Sequence, residues 1–245
     1  MKIPRKELKF IVSDATLLDV KYRISGIMQQ DVHQDGDHYR VRSVYLDDRT
    51  YSCYRENAAG VSPREKYRLR TYNCSIDRIS AEIKTNYRNT TSKIGTGVSR
   101  DIYEAIVSTD PGRISTALSQ QIAKRADAGD EQGKRILEKY LNVLTARGYG
   151  PSCIVDYERS AFVYPVGNVR ITLDRNITAS EDLSRMFDTK LSGRCALYDN
   201  RHILEIKYDE FLPDEIRSLL AGVDLFRESC SKYILSLNSL KQTEA

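Results

Sequence analysis

The chain has 245 residues, 40% hydrophobic and 29% charged, with a formal net charge of +4. This is the profile of a soluble globular protein long enough for a substantial core, and so small a charge means that any basic site must come from local clustering. Five cysteines without CxxC spacing indicate neither a zinc site nor a disulfide framework and point to a reducing cytosol. The charged opening Met-Lys-Ile-Pro-Arg-Lys lacks the apolar core of a signal peptide, and no apolar run approaches the length that spans a bilayer. Tyrosine dominates the aromatics, with 16 Tyr, 5 Phe and no Trp. It suits half-buried strands whose hydroxyls meet a polar space, although tyrosine-rich sheets also stack on RNA bases.

In chain order, residues 5–12 alternate Arg5, Glu7 and Lys9 against Lys6, Leu8 and Phe10, which predicts a first strand. Ser13 or Asp14 then caps a helix to about Met28, with Leu17, Val20, Ile24 and Ile27 at helical spacing. A loop over 29–38 leads to a strand at 39–46 that sets Arg40 and Arg42 on one face. Asp47 and Asp48 open a short helix to about Ala59, and this capping role outweighs a metal role for the pair. Residues 63–72 and 81–85 form two strands, followed by a turn at 88–90 and a further strand at 91–98, an antiparallel meander. A helix from Asp101 ends at Pro111-Gly112. Residues 115–147 form a mainly helical insertion broken near Gly129 (boundaries about 113–148). Strands follow at 152–164, 169–177 and 202–208, and helices at 213–220 and 228–240. The stretch 179–200 has no assignable pattern. With no repeat or linker, the reading is a single domain over 1–245.

The strands share a peculiarity. Charged residues recur at alternate positions in at least six of them, mostly Arg and Lys, and a Glu precedes a Lys by two residues at Glu7/Lys9, Glu82/Lys84 and Glu205/Lys207. Arg68 and Arg70 share one face. A solvated outer sheet face is the bland explanation. A closed antiparallel barrel is the sharper one, with apolar faces outward under helices and a polar lumen that needs a polyanion, metal or water to fill it. The usual phosphate devices are missing: there is no GxxxxGK[ST], and Gly95-Thr96-Gly97 is too short for a dinucleotide loop. No HExxH occurs, and His33, His38 and His202 are isolated.

The ordered strand motifs resemble those of a known family. Arg-Lys-Glu-Leu-Lys-Phe at 5–10, Val-Arg-Ser-Val-Tyr-Leu-Asp-Asp at 41–48, Glu-Lys-Tyr-Arg-Leu-Arg-Thr-Tyr at 65–72 and Glu-Ile-Lys-Thr at 82–85 are similar to those of VTC domains. The series continues with Asp-Tyr-Glu-Arg-Ser-Ala-Phe at 156–162, Val-Arg-Ile-Thr-Leu-Asp at 169–174, Leu-Glu-Ile-Lys-Tyr at 204–208 and Ser-Lys-Tyr at 231–233. VTC domains are polyphosphate polymerase domains of the triphosphate tunnel metalloenzymes. The resemblance implies an α+β fold, a closed antiparallel eight-stranded tunnel barrel with a basic lumen and helices packed outside.

It implies an ATP-dependent transfer of the γ-phosphate to a growing polyphosphate chain, with Mn²⁺ or Mg²⁺ as cofactor. Arg68, Arg70, Lys84, Arg170 and Lys232 match its catalytic phosphate-binding set, and Lys9, Lys93, Arg159, Lys207 and Ser231 match further substrate contacts. Glu205 matches the metal-binding glutamate, with Glu7 and Glu82 as further carboxylates; a salt bridge is an equal reading for Glu82. The first strand carries Arg5-x-Glu7-x-Lys9 where the wider superfamily has ExExK, which favours the polymerase branch over the hydrolases. Strict alternation sets Arg159 with Val155 and Tyr157, a less polar face, from which a bulge could re-aim it, and this makes Arg159 a weaker candidate than Arg68 or Arg70. The implied partners are ATP, polyphosphate and pyrophosphate rather than nucleic acid, with a membrane-protein partner supplying any link to a membrane, and the implied location is cytoplasmic. A tripolyphosphatase or nucleoside triphosphatase, or a non-catalytic polyphosphate-binding module, are the alternatives.

Overall fold

In the computed structural model, which describes residues 5–242 apart from Asp35, Asn89 and Ser229, the described chain falls into two compact units. Residues 41–155 and 179–193 make the second unit, and the rest make the first.

The first unit contains β1 (Lys6–Val12), α1 (Asp14–Ser25), the short β2 (Gln29–Gln30), the later part of β7 (Gly150–Tyr164), most of β8 (Val169–Ser180), the short β9 (Arg194–Cys195), β10 (His202–Tyr208), α6 (Asp214–Leu220) and α7 (Lys232–Lys241). β1 pairs antiparallel with β10, and β10 with β8. The alternation in these strands sends Phe10, Val12, Ile171, Leu173, Leu204 and Ile206 into one buried cluster, where they meet Leu17, Val20 and Ile24 of α1. Each such side chain contributes about 1.5–3 kcal/mol on burial. The helix begins where expected, with the Ser13 hydroxyl accepting the Thr16 amide at 3.1 Å. It stops at Ser25, so Ile27 leaves the apolar stripe and is 45% exposed.

The second unit holds most of β3 (Tyr39–Asp47), then α2 (Ser52–Ala58), β4 (Arg64–Tyr72), β5 (Ile79–Tyr87), β6 (Thr90–Val98), α3 (Arg100–Ser108), α4 (Pro111–Asp127) and α5 (Glu131–Thr145). β3, β4, β5 and β6 pair successively antiparallel, as the spacing implied; the turn expected at 88–90 includes Asn89, outside the described residues. Asp47 accepts the Cys53 and Tyr54 amides at 2.9 and 3.1 Å, and Asp48 accepts those of Thr50 and Ser52 at 2.8 and 3.1 Å. Burial opposes ionisation of Asp48, but hydrogen bonds from Ser52 and Thr50 win and bring it down to about 2. The pair thus bonds amides of the helix's first turn as expected, but α2 begins at Ser52 behind an N-cap at Tyr51, and Asp47 still belongs to β3. The helical insertion breaks at Gly129, whose φ of +70° lies in the left-handed region that favours glycine. Asp130 then caps α5 by accepting the Gly133 amide at 2.8 Å. α5 packs on β5 and β6, with Ile136, Leu137 and Tyr140 buried.

Arg42 does not join a charged face. Its guanidinium is fully buried and donates to the carbonyls of Arg185, Met186 and Asp188 at 2.9, 3.0 and 2.7 Å. This ties down part of the stretch that the sequence left unassigned, which contains a short 3-10 turn at Leu183–Arg185. The last helix starts at Lys232, four residues later than expected.

One expectation is corrected. The ladders run in the order β1-β10-β8-β7-β3-β4-β5-β6, with β2 and β9 as short additions, and among the described residues β1 and β6 are ends. The closed eight-stranded barrel with a basic lumen is therefore not what the ladders give. The Lys9 carbonyl on β1 accepts the Glu228 amide at 3.0 Å, and Phe10 is bridged to Arg227. The Gly97 carbonyl on β6 accepts from the side chains of Gln121 and Arg125 of α4 at 3.0 and 2.8 Å. What stands is an α+β protein built on antiparallel strands. No described helix is long and apolar enough to cross a membrane.

Candidate functional site

Each unit carries its own cluster of charged strand residues. In the first unit, register sets the charges. β1 and β10 both carry Glu-x-Lys, and their antiparallel pairing places Glu7 opposite Lys207 and Lys9 opposite Glu205. Lys207 Nζ lies 3.2 Å from Glu7 Oε1 and 3.1 Å from Glu205 Oε2, so one ammonium joins both carboxylates. Lys9 Nζ is 3.8 Å from Glu7 and 3.9 Å from Glu205. Lys232, the first residue of α7, donates to Glu205 at 2.8 Å and lies 2.6 Å from Asp174. Arg159 grips Asp174 through two bonds of 2.6 and 2.7 Å. Burial disfavours the ionised form of Glu205, but Lys232, Lys207, Lys9 and Arg159 outweigh it and hold the carboxyl well below its ordinary range. Asp174, with no exposure at all, is lowered against its burial by Arg159 and Lys232. Burial works against the charge on Lys232, and Asp174 and Glu205 reverse this and raise it.

Arg159 needs no bulge. Its neighbour along the same strand face, Tyr157, belongs to the cluster: the ring lies 5.2 Å from the Arg159 guanidinium carbon and 5.0 Å from Lys232 Nζ. An aromatic plate beneath two cations makes that face suited to charge. Arg170 stands apart, paired with Asp31 at 2.8 Å and donating to the Tyr39 hydroxyl at 3.2 Å. Ser231 occupies the N-cap position of α7.

In the second unit, Glu82 is the centre. Its Oε2 accepts from Arg68 at 2.8 and 2.6 Å, with Arg70 Nη1 at 3.8 Å, and its Oε1 accepts from Lys93 at 2.9 Å. Burial is overcome by Arg68, Arg70 and Lys93, and the carboxyl sits far below its ordinary range. Tyr45 and Ser43 of β3 orient the two arginines, accepting from Arg68 and Arg70 at 2.9 and 3.0 Å. Gly95 lies opposite Glu82, where a Cβ would come within 3.3 Å of Glu82 Cγ. Lys84 is in register with Lys66 on one side and Lys93 on the other. Three lysines thus stand in a row beside the Arg68–Glu82 pair. Like charges directly opposed across strands are unfavourable, and an anion would relieve them.

Sequence reasoning missed several participants. Asp174 was visible on the Arg170 and Thr172 face, but nothing local shows that it meets Arg159 and Lys232. Asp31 sits outside the long strands and gave no signal, and Lys66 shares the Arg68 face without having been singled out. Tyr157 was taken as evidence against its face.

Among the described residues no group of three or more His, Cys, Asp or Glu side chains could hold a metal ion. A hard divalent ion needs less than that when phosphate is present, since one or two carboxylates plus phosphate oxygens suffice. Glu205 and Glu7 already share one positive charge in Lys207, and the buried Thr172 hydroxyl, in register with Glu205, makes no hydrogen bond. Those oxygen donors fit Mn²⁺ or Mg²⁺. The oxygens of both glutamates are already engaged, those of Glu205 by Lys232 and Lys207 and those of Glu82 by Arg68 and Lys93, so an ion at either would displace an ammonium or guanidinium; the unbonded Thr172 hydroxyl stands beside Glu205 alone.

Antiparallel strands bearing carboxylates ringed by lysine and arginine define a class of protein suited to polyanions. The chain belongs to the VTC-domain family, whose model matches residues 4–241. No curated protein matches it by sequence. Among solved structures it is similar to a candidate adenylate cyclase from Vibrio parahaemolyticus, at 15% identity and a TM-score of 0.49, covering 96% of this chain and 99% of that one. A protein from Pyrococcus horikoshii matches at 14% identity and 0.47, covering 96% and 98%. A candidate adenylate cyclase from Bacillus halodurans matches at 11% and 0.46, covering 94% and 96%.

Proposed function

We propose that this protein is an ATP-dependent polyphosphate polymerase. Membership of the VTC-domain family supports the reading, and one observation carries it. On β4–β6 the register sets Arg68, Arg70, Lys66, Lys84 and Lys93 around Glu82, a row of basic side chains that suits a linear polyanion. Phosphoryl transfer asks a protein for position and charge stabilisation more than for covalent chemistry. Each unit contributes its own phosphate ligands: Arg68, Arg70 and Lys84, with Lys93, in the second, and Arg170 and Lys232, with Lys9, Arg159, Lys207 and Ser231, in the first, and they neutralise charge as it develops. An oxygen of the chain's terminal phosphate attacks the γ-phosphorus of ATP. The new P–O bond forms as the bond to the β,γ-bridging oxygen breaks, and ADP leaves with that electron pair. Glu205, with Glu7 beside it, would hold Mn²⁺ or Mg²⁺, which when bound supplies Lewis-acid stabilisation of phosphate charge. No cysteine or serine is required as a nucleophile. Five free cysteines suit a reducing, cytoplasmic setting.

The test is incubation of purified protein with ATP and Mn²⁺ or Mg²⁺, followed by electrophoretic sizing of the products. Polyphosphate chains longer than the substrate are expected. Free phosphate alone would make it a tripolyphosphatase or nucleoside triphosphatase, and tight polyphosphate binding without turnover would make it a binding module.

A further inference from the structure

We propose that Tyr140 of α5 is a positioning residue for the Arg68–Glu82 pair, holding from the covered side of the sheet the two strands that present these side chains. The inference rests on the reading of Arg68 as a phosphate ligand.

Arg68 and Glu82 are directly opposed in the β4–β5 ladder. The Tyr140 ring packs edge-on against Tyr67, with centroids 5.5 Å apart, and Tyr67 alternates with Arg68, so α5 covers the face opposite the cations. From there the fully buried hydroxyl reaches the backbone of the pair itself. It accepts the Arg68 amide at 3.1 Å and lies 2.6 Å from the Arg68 carbonyl and 2.9 Å from the Glu82 carbonyl. One hydroxyl proton serves one carbonyl at a time, and its lone pairs take the amide. Phenylalanine would fill the same ring volume, so packing does not account for the oxygen. The adjacent Lys139 bonds Glu65 of β4 at 2.9 Å, giving α5 a second hold on that strand. The Arg68 bonds to Glu82, at 2.8 and 2.6 Å, are short and directional, and a small shift of either strand would spoil them. The insertion is then part of the phosphate-binding apparatus rather than outer packing.

Two variants separate positioning from mere support. Tyr140→Phe removes the hydroxyl that touches Arg68 and Glu82. Tyr67→Phe removes a second buried hydroxyl, one that donates to Glu65 at 2.5 Å and touches neither. The readouts are inorganic tripolyphosphate affinity by calorimetry and hydrogen exchange of the Arg68 amide and Nε–H by NMR. Tyr140→Phe is expected to weaken tripolyphosphate binding about tenfold, the scale of one or two lost hydrogen bonds, and to speed Arg68 exchange by a similar factor. Tyr67→Phe should leave both within about twofold even where its melting temperature falls as far. Equal effects in the two variants, or an unchanged affinity in Tyr140→Phe, overturn the proposal. If the unaltered protein does not bind tripolyphosphate, the phosphate reading fails, and Arg68 exchange alone decides the positioning role: faster only in Tyr140→Phe sustains it, unchanged refutes it.

Discussion

The same tripeptide pattern, Glu-x-Lys, sits at the heart of both clusters and does opposite things. In the first unit two copies face each other antiparallel, so that each glutamate meets a lysine: Glu7 with Lys207, Lys9 with Glu205. With Asp174, Lys232 and Arg159 added, four cations within 4 Å of three carboxylates leave the cluster nearly neutral. In the second unit the pattern on β5 lies between Lys66-x-Arg68 and Lys93-x-Gly95. Glu82 finds Arg68, but Lys84 faces two lysines. The difference comes from the neighbouring strand, since register decides whether a charged pattern neutralises itself or accumulates charge. In the first cluster register alternates the signs of charge, and in the second it sets lysines side by side.

The largest effect that could break this contrast is on stability. Asp174 is wholly buried between Arg159 and Lys232, and replacing it with Asn leaves two desolvated cations with Glu205 as their remaining acid. Removing one member of such a cluster costs about 3–5 kcal/mol. Glu82→Gln should cost less, about 1–3 kcal/mol, because its partner Lys93 is half exposed and the amide still accepts a bond. Urea unfolding of both variants gives the ranking. A larger loss in Glu82→Gln than in Asp174→Asn would mean that the two clusters have been assigned the wrong way round.

Much of this was legible in the sequence. Alternation placed eight long strands close to their observed limits, and the spacing of Leu17, Val20 and Ile24 with the cap at Ser13 placed the start of α1; Asp47-Asp48 announced α2 but not its start at Ser52. The alternating charges correctly brought Arg68, Arg70 and Glu82 together, and Lys9, Glu205 and Lys207. The contacts made along β1 and β6 were not legible, because they come from residues distant in sequence: Glu228 on β1, Gln121 and Arg125 on β6. Nor was Asp174, whose partners Arg159 and Lys232 lie 15 and 58 residues away along the chain. Tyr140 was equally silent, since a helix pattern shows which face is apolar and not which hydroxyl meets a strand's backbone.

The pH dependence sharpens the contrast next. Asp174, Glu205 and Glu82 all titrate below their ordinary values in the folded state. Their contributions are complete above the ordinary carboxylate range, about pH 4, and fade as pH falls through it. Both units therefore lose stability in acid. Lys9 and Lys232 are raised in the folded state, so their contribution is complete below the ordinary lysine value, about 10.4, and fades as pH climbs past it. Urea midpoints measured from pH 3 to 11 should thus fall at both ends, and Asp174→Asn should flatten the acid limb more than Glu82→Gln does. An acid limb unaffected by Asp174→Asn would remove that carboxylate from the account.

Lys84 tests whether the second cluster's charge serves a ligand. Lys84→Ala removes the middle of three lysines that stand in register across β4, β5 and β6. Tripolyphosphate affinity should fall about tenfold, the loss of one charge-assisted contact. Lys207→Ala should lower stability, since it leaves Glu7 and Glu205 with only the more distant Lys9 ammonium in common, at 3.8 and 3.9 Å. Calorimetry and thermal unfolding of the two variants would expose any failure, and a Lys84→Ala protein that is both weaker in binding and markedly less stable would show that the row is structural.

The smallest effect belongs to Lys93, and its smallness is informative. Its Nζ bonds Glu82 at 2.9 Å, close to the 2.8 and 2.6 Å of the Arg68 contacts, yet half of the side chain is exposed. Solvent competes for an ammonium in that position, and Glu82 keeps both bonds from Arg68 when the lysine is removed. Lys93→Ala should therefore cost about 0.2–1 kcal/mol, the range of exposed pairs, and less in high salt. Lys232, whose side chain is 9% exposed and bridges two carboxylates, should cost several times as much when truncated. If the two truncations cost the same in urea unfolding at low and high salt, exposure would not be what separates the clusters, and the basic row on β4–β6 would have to be stabilised from within the fold rather than by a bound anion.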